Sequence, residues 1–113
     1  MAATAAPGRA ALGAAAFGAS CVAYGTFVES AAYRVRRATI GVLAPDAEAL
    51  RVLHISDAHL LPWYRRRRAF LESLSGLDSD LVVSTGDSIA SPDALEPLLG
   101  SLGRLLDAPG VFV

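Results

Sequence analysis

The chain has 113 residues, a formal net charge of −1 and 53% hydrophobic residues. That length limits it to one small domain. A net charge of −1 gives no pointer to nucleic acid, whose binding calls for a clustered basic surface. A single cysteine, Cys21, excludes an internal disulfide and a cysteine-based metal cluster.

Met1 to Arg9 (1–9) forms a short leader whose one charge is Arg9. From Ala10 to Val28 (10–28) the chain carries no charge, close to the roughly 20 residues a helix needs to cross a bilayer. Alanines and the glycines Gly13, Gly18 and Gly25 keep the run only moderately apolar. Its composition admits a single-pass membrane anchor, a cleaved signal peptide or an alanine-rich soluble helix, with the anchor favoured by the thin charged leader. Arg34, Arg36 and Arg37 outnumber Arg9 across the run, which leans toward a cytoplasmic C-terminal part. The side of the membrane and the oligomeric state stay open.

A folded region is expected over 33–113. Tyr33 to Val42 alternates polar and apolar residues in part and reads as an antiparallel or edge strand. Leu43 to Ala49 contains Pro45 and Asp46 and reads as a turn. Arg51 to Ser56 is near-continuously apolar, which suits a parallel strand covered on both faces. Pro62 breaks the chain after it. Arg65 to Leu74 places Phe70, Leu71, Leu74 and Leu77 at helical spacing, with Gly76 as a stop. Leu81 to Thr85 is a further apolar strand. Ser91-Pro92-Asp93 carries helix-start chemistry, although Pro97 moves the main helix to begin there. Leu95, Leu98, Leu99, Leu102, Leu105 and Leu106 mark its apolar face. Asp107 to Gly110 is a turn, and Val111-Phe112-Val113 opens a last strand. A chain that stops there reads as the N-terminal part of a longer domain. The fold expected is α/β, with helices packed on a mainly parallel sheet.

The chemistry-bearing residues follow the two apolar strands. Ser56-Asp57-Ala58-His59 ends the first, and Gly86-Asp87 ends the second. About 30 residues separate them, the length of one strand-helix-strand crossover, so both fall at the carboxyl edge of a parallel sheet, where α/β folds bind ligands. Carboxylate oxygen with imidazole nitrogen suits Mn, Fe, Zn or Ni better than Ca or Mg alone. Two such ions can share a carboxylate and activate water for attack on phosphorus. Asp87 is the natural bridging residue, because Gly86 lets the backbone turn sharply before it.

The order, spacing and strand context of "SDAH" and "STGD" resemble the calcineurin-like metallophosphoesterase superfamily, whose opening motifs are D-x-H and then G-D-x-x-D. The resemblance covers Leu50 to Val113. It implies the N-terminal part of a metallophosphoesterase-type α/β sandwich, a dinuclear metal centre and phosphoester hydrolysis. It also implies that Asp57 and His59 bind one metal while Asp87 bridges two. The second acid of the G-D-x-x-D pattern is replaced by Ala90. The family's later Asn, His and Gly-His-x-His motifs are not among these residues, so no catalytic acid is assigned and these 113 residues alone are expected to be inactive. The substrate could be a phosphomonoester, a phosphodiester or a lipid-linked pyrophosphate. The alternative is a non-catalytic, membrane-tethered α/β module.

Elsewhere the plainer readings are structural. His54, in mid-strand, reads as a hydrogen-bonded core histidine. Trp63 and Tyr64 read first as packing under their loop, with contact to a membrane interface or a substrate as the other reading. Ser56, Thr85 and Ser88 read as satisfying local backbone groups. Arg65 to Arg68 read as a solvated helix face, although four cations in a first turn oppose the helix dipole and leave room for phosphate or anionic lipid.

Overall fold

A computed structural model describes residues 7–113; most of the leader, residues 1–6, lies outside them. The described chain comprises two units that divide between Arg34 and Val35.

In the first unit, helix α1 spans Pro7–Phe27. Pro7 to Arg9, expected in the leader, are therefore already helical. A 3₁₀ turn, Glu29–Ala31, follows. Gly8–Ala31 is long and apolar enough to cross a membrane, since α1 has 21 residues, about 31 Å of helix at 1.5 Å each.

In the second unit, strands β1 (Val52–Ser56), β2 (Leu81–Thr85) and β3 (Gly110–Phe112) form a parallel sheet in the order β1-β2-β3. Helix α2 (Arg65–Ser73) connects β1 to β2, and helix α3 (Leu95–Leu102) connects β2 to β3. The register pairs Leu53 with Val82 and Ile55 with Ser84, which puts these four on one face. Leu71 and Leu74 from the first crossover, and Ala94, Leu98, Leu102 and Leu105 from the second, pack with Val82 and Leu60 as the core, with Leu53 and Ile55 against it. At the start of β3, Gly110 lies so close to β2 that a Cβ there would meet the Val82 carbonyl oxygen at 2.9 Å.

Several expectations change. Tyr33 to Val42 forms no strand. Three arginines and few partners for its apolar positions leave Val35, Ile40 and Val42 exposed, and burial, rather than alternation alone, is what holds a strand. The sheet is covered on one face only among the described residues. On the other face Val52 and Val111 stay exposed, and so does His54, which bonds Thr85 Oγ1 through Nε2 at 2.7 Å instead of entering the core. Gly76 does not stop α2. A 3₁₀ turn, Leu74–Leu77, continues through it, and Asp78 takes the left-handed conformation at its end. Helix α3 begins at Leu95, two residues before Pro97. A proline in the first turn is tolerated because its missing N–H would have had no intrahelical partner. The Ser91 side chain makes no cap; its carbonyl accepts from Ala94 N instead. Of the six leucines expected on one face, Leu98, Leu102 and Leu105 are buried, while Leu95, Leu99 and Leu106 are exposed.

Candidate metal centre

Past the strands, the two motif loops continue side by side. Asp57 N donates to Gly86 O at 3.4 Å, His59 N to Asp87 O at 2.7 Å, Leu60 N to Ser88 O at 3.0 Å, and Ala90 N to Leu60 O at 2.9 Å. Leu60 and Ile89 form a parallel bridge beyond the sheet. Leu60, fully buried, drives this arrangement into the core. The loops are thus an extension of the sheet, anchored by one leucine and by backbone bonds.

The site residues sit on that extension in an uncommon backbone state. Asp57, His59 and Asp87 all have positive φ, at 53°, 38° and 47°, as does Gly86 at 69°. Asp tolerates the left-handed region better than most residues, and so does His. Gly86 pays no Cβ penalty there, as expected of the residue that turns the chain into Asp87. The twists aim three side chains at one another. His59 Nε2 lies 3.9 Å from Asp57 Oδ1 and 4.0 Å from Asp87 Oδ2. One ligand atom from each of the three falls within 4.8 Å of the others.

The donor set fits a divalent ion of the first transition row: one imidazole nitrogen and two hard carboxylate oxygens. Metal–ligand bonds of about 2.0–2.2 Å bring adjacent donors to roughly 3.0–3.5 Å from one another. Closing separations of 3.9 Å to at most 4.8 Å to that range needs from about 0.4 Å to about 1.8 Å of approach. All three side chains are more than half exposed, so rotation meets little packing resistance. Two carboxylates at this range repel each other, and a bound cation would relieve that repulsion.

Neighbouring groups hold the frame. Ser56 Oγ donates to Asp57 Oδ2 and lies 3.0 Å from the Thr85 carbonyl oxygen. Ser84, buried at the end of β2, pairs with Ser88 at 3.3 Å, hydroxyl to hydroxyl. Arg67 reaches back from α2: its Nη1 donates to Ala58 O at 2.7 Å and to His59 O at 3.0 Å. Its guanidinium also lies 4.7 Å from the centre of the Tyr64 ring. Arg68 Nε donates to the buried Ser101 Oγ at 3.4 Å. The run Arg65 to Arg68 is therefore only half a solvated face. Arg65 and Arg66 are exposed, whereas Arg67 and Arg68 are half-buried and bonded. Nothing in the local sequence separates Arg67 from its neighbours; only the crossover brings it back under the first loop. Trp63, expected to pack beneath its loop, is 69% exposed.

No family model, curated protein or solved structure matches the chain.

Proposed function

We propose that this chain supplies the first ligands of a dinuclear metal centre that hydrolyses phosphoesters, as its motifs' resemblance to calcineurin-like metallophosphoesterases implies. The observation that carries the reading is the convergence of Asp57, His59 and Asp87 within 4.8 Å beyond the carboxyl ends of two adjacent parallel strands, the ligand-binding edge of α/β sheets. Asp57 and His59 would hold one ion, and Asp87 would bridge it to a second. Ions of the Mn, Fe, Zn or Ni kind bound there would supply a water of lowered pKa and positive charge for the phosphoryl oxygens. The chain's own part is to orient the donors. The paired loops fix the three Cα positions, and Arg67 ties the first loop to α2. Helix α1 would tether the protein to a membrane as a single-pass anchor. Two ions need more donors than these three side chains offer.

The test is Mn-dependent hydrolysis of a bis-aryl phosphodiester by the protein expressed from its natural gene, with and without Asp87→Asn. Loss of turnover in the variant is the expected result; equal rates would remove Asp87 from the bridging role. The replacement of the second motif acid by Ala90 favours one competing reading, a tethered module without catalysis. Mn²⁺ binding that depends on Asp87, without turnover, would establish it.

A further inference from the structure

The turn that leads into α2 has features the metal site does not use. Trp63 is exposed and meets Tyr64 edge-to-face at 6.3 Å between ring centres. Arg65 and Arg66 follow, both exposed and without an ion-pair partner among the described residues. Helix α2 has no acid in its first turn and no side-chain cap. Its positive dipole end therefore faces added positive charge, a local cost that a nearby anion would relieve. Arg67 bends away to the Ala58 and His59 carbonyls and stacks on Tyr64. That holds the aromatic pair in place while Arg65 and Arg66 face water.

We propose that Trp63, Arg65 and Arg66 form a contact surface for an anionic lipid bilayer. Exposed tryptophan beside arginine is the composition that settles at the headgroup level: the indole enters the interface and the guanidinium pairs with phosphate. The occupant is argued from the chain itself. Gly8–Ala31 is long and apolar enough to cross a membrane, so a bilayer holding it is a covalently tethered partner at high effective concentration. Even a weak surface contact would then be populated. The surface does not depend on the metal reading; it rests on the proposed anchor and goes beyond it by giving the lipid a second point of attachment.

Trp63 is the only tryptophan in the chain, so its fluorescence reports the contact directly. The full chain would be reconstituted into vesicles of phosphatidylcholine alone and of phosphatidylcholine with phosphatidylglycerol, each with and without lipids brominated near the headgroup. The expected result is blue-shifted emission and bromine quenching in the anionic vesicles, weak in the neutral ones. Arg65→Gln and Arg66→Gln should each lower the bound-to-free ratio about fivefold, and Asp87→Asn should leave quenching unchanged. Emission and quenching identical in the two vesicle types would overturn the proposal without any variant. Quenching that inorganic phosphate abolishes at matched ionic strength would overturn it too, marking a soluble-phosphate site instead. Quenching lost in Asp87→Asn would assign the signal to the metal loops and equally remove the lipid surface.

Discussion

The two ends of one small sheet hold their aspartates in opposite ways. At the amino end, Asp80 just before β2 meets Arg51 just before β1. Asp80 Oδ2 accepts from Arg51 N at 2.8 Å and from Nε at 3.4 Å, and its own N–H donates to Arg51 O at 2.8 Å. The charge is matched, and the backbone bond and guanidinium beside it hold the Asp80 carboxyl below its ordinary value of 3.8. At the carboxyl end, Asp57 and Asp87 are brought together with only His59 between them. The same parallel register sets both pairs. One end satisfies its charge internally and so serves structure; the other concentrates charge and left-handed backbone, which fits a site that an outside cation completes. Substitutions at the two ends should therefore differ in sign as well as in size.

The largest effect should come from a residue beneath the carboxyl end. Leu60→Ala would empty a fully buried position between the two loops and the core, at a cost of about 2–5 kcal/mol. Urea titration of the detergent-solubilised chain, followed by circular dichroism, measures it. A cost near zero would mean that the loops hold their shape without the core.

Asp87→Asn comes next. Asparagine also tolerates positive φ, so the backbone at φ 47° should survive while the charge is lost. Mn²⁺ affinity by titration calorimetry should fall by at least about 100-fold, beyond the usual loss on removing an outer-shell partner. Without metal the same variant should be no less stable than the wild type, and slightly more so, because a repulsive pair has been removed. A destabilised metal-free variant would make the two ends alike and break the comparison. Arg67→Ala sharpens it further. Losing the bonds to Ala58 O and His59 O should lower Mn²⁺ affinity about tenfold, as loss of an outer-shell partner does, whereas Arg66→Ala should leave it unchanged.

How legible each end was in the sequence follows from the range of the forces involved. That Asp57, His59, Gly86 and Asp87 follow two adjacent strands was readable because strand-end position and crossover length are one-dimensional features. The parallel pairing of the two motif strands and the presence of two crossover helices were readable for the same reason. The Arg51–Asp80 clasp and the return of Arg67 were not, since both join residues through the fold and leave no local pattern. Tyr33 to Val42 misled because alternation carries no information about whether a partner strand exists. His54 and Trp63 misled because an apolar neighbourhood in sequence does not fix which face of a sheet or loop is covered.

The smallest effect is at the amino end, and its sign is fixed by pH. Arg51 favours the charged form of Asp80, so the folded-state pKa lies below the ordinary 3.8. The contribution to stability is then fully present above about pH 3.8 and is lost as pH falls through the lower folded value. Asp80→Asn removes the group that titrates. At neutral pH the variant should be slightly less stable than the wild type. As pH falls below 3.8 the two stability curves should draw together, and they should meet below the lowered folded value, where both carry an uncharged side chain beside Arg51. Because the pair is exposed, with side-chain exposures of 63% and 40%, about 1 M salt, with its Debye length near 3 Å, should shrink even the neutral-pH difference. Denaturation midpoints of the two chains, measured from pH 2 to pH 7 at low and high salt, test this. A difference that persists unchanged in acid would show that the backbone bonds between Arg51 and Asp80, and not the charge, close this end of the sheet.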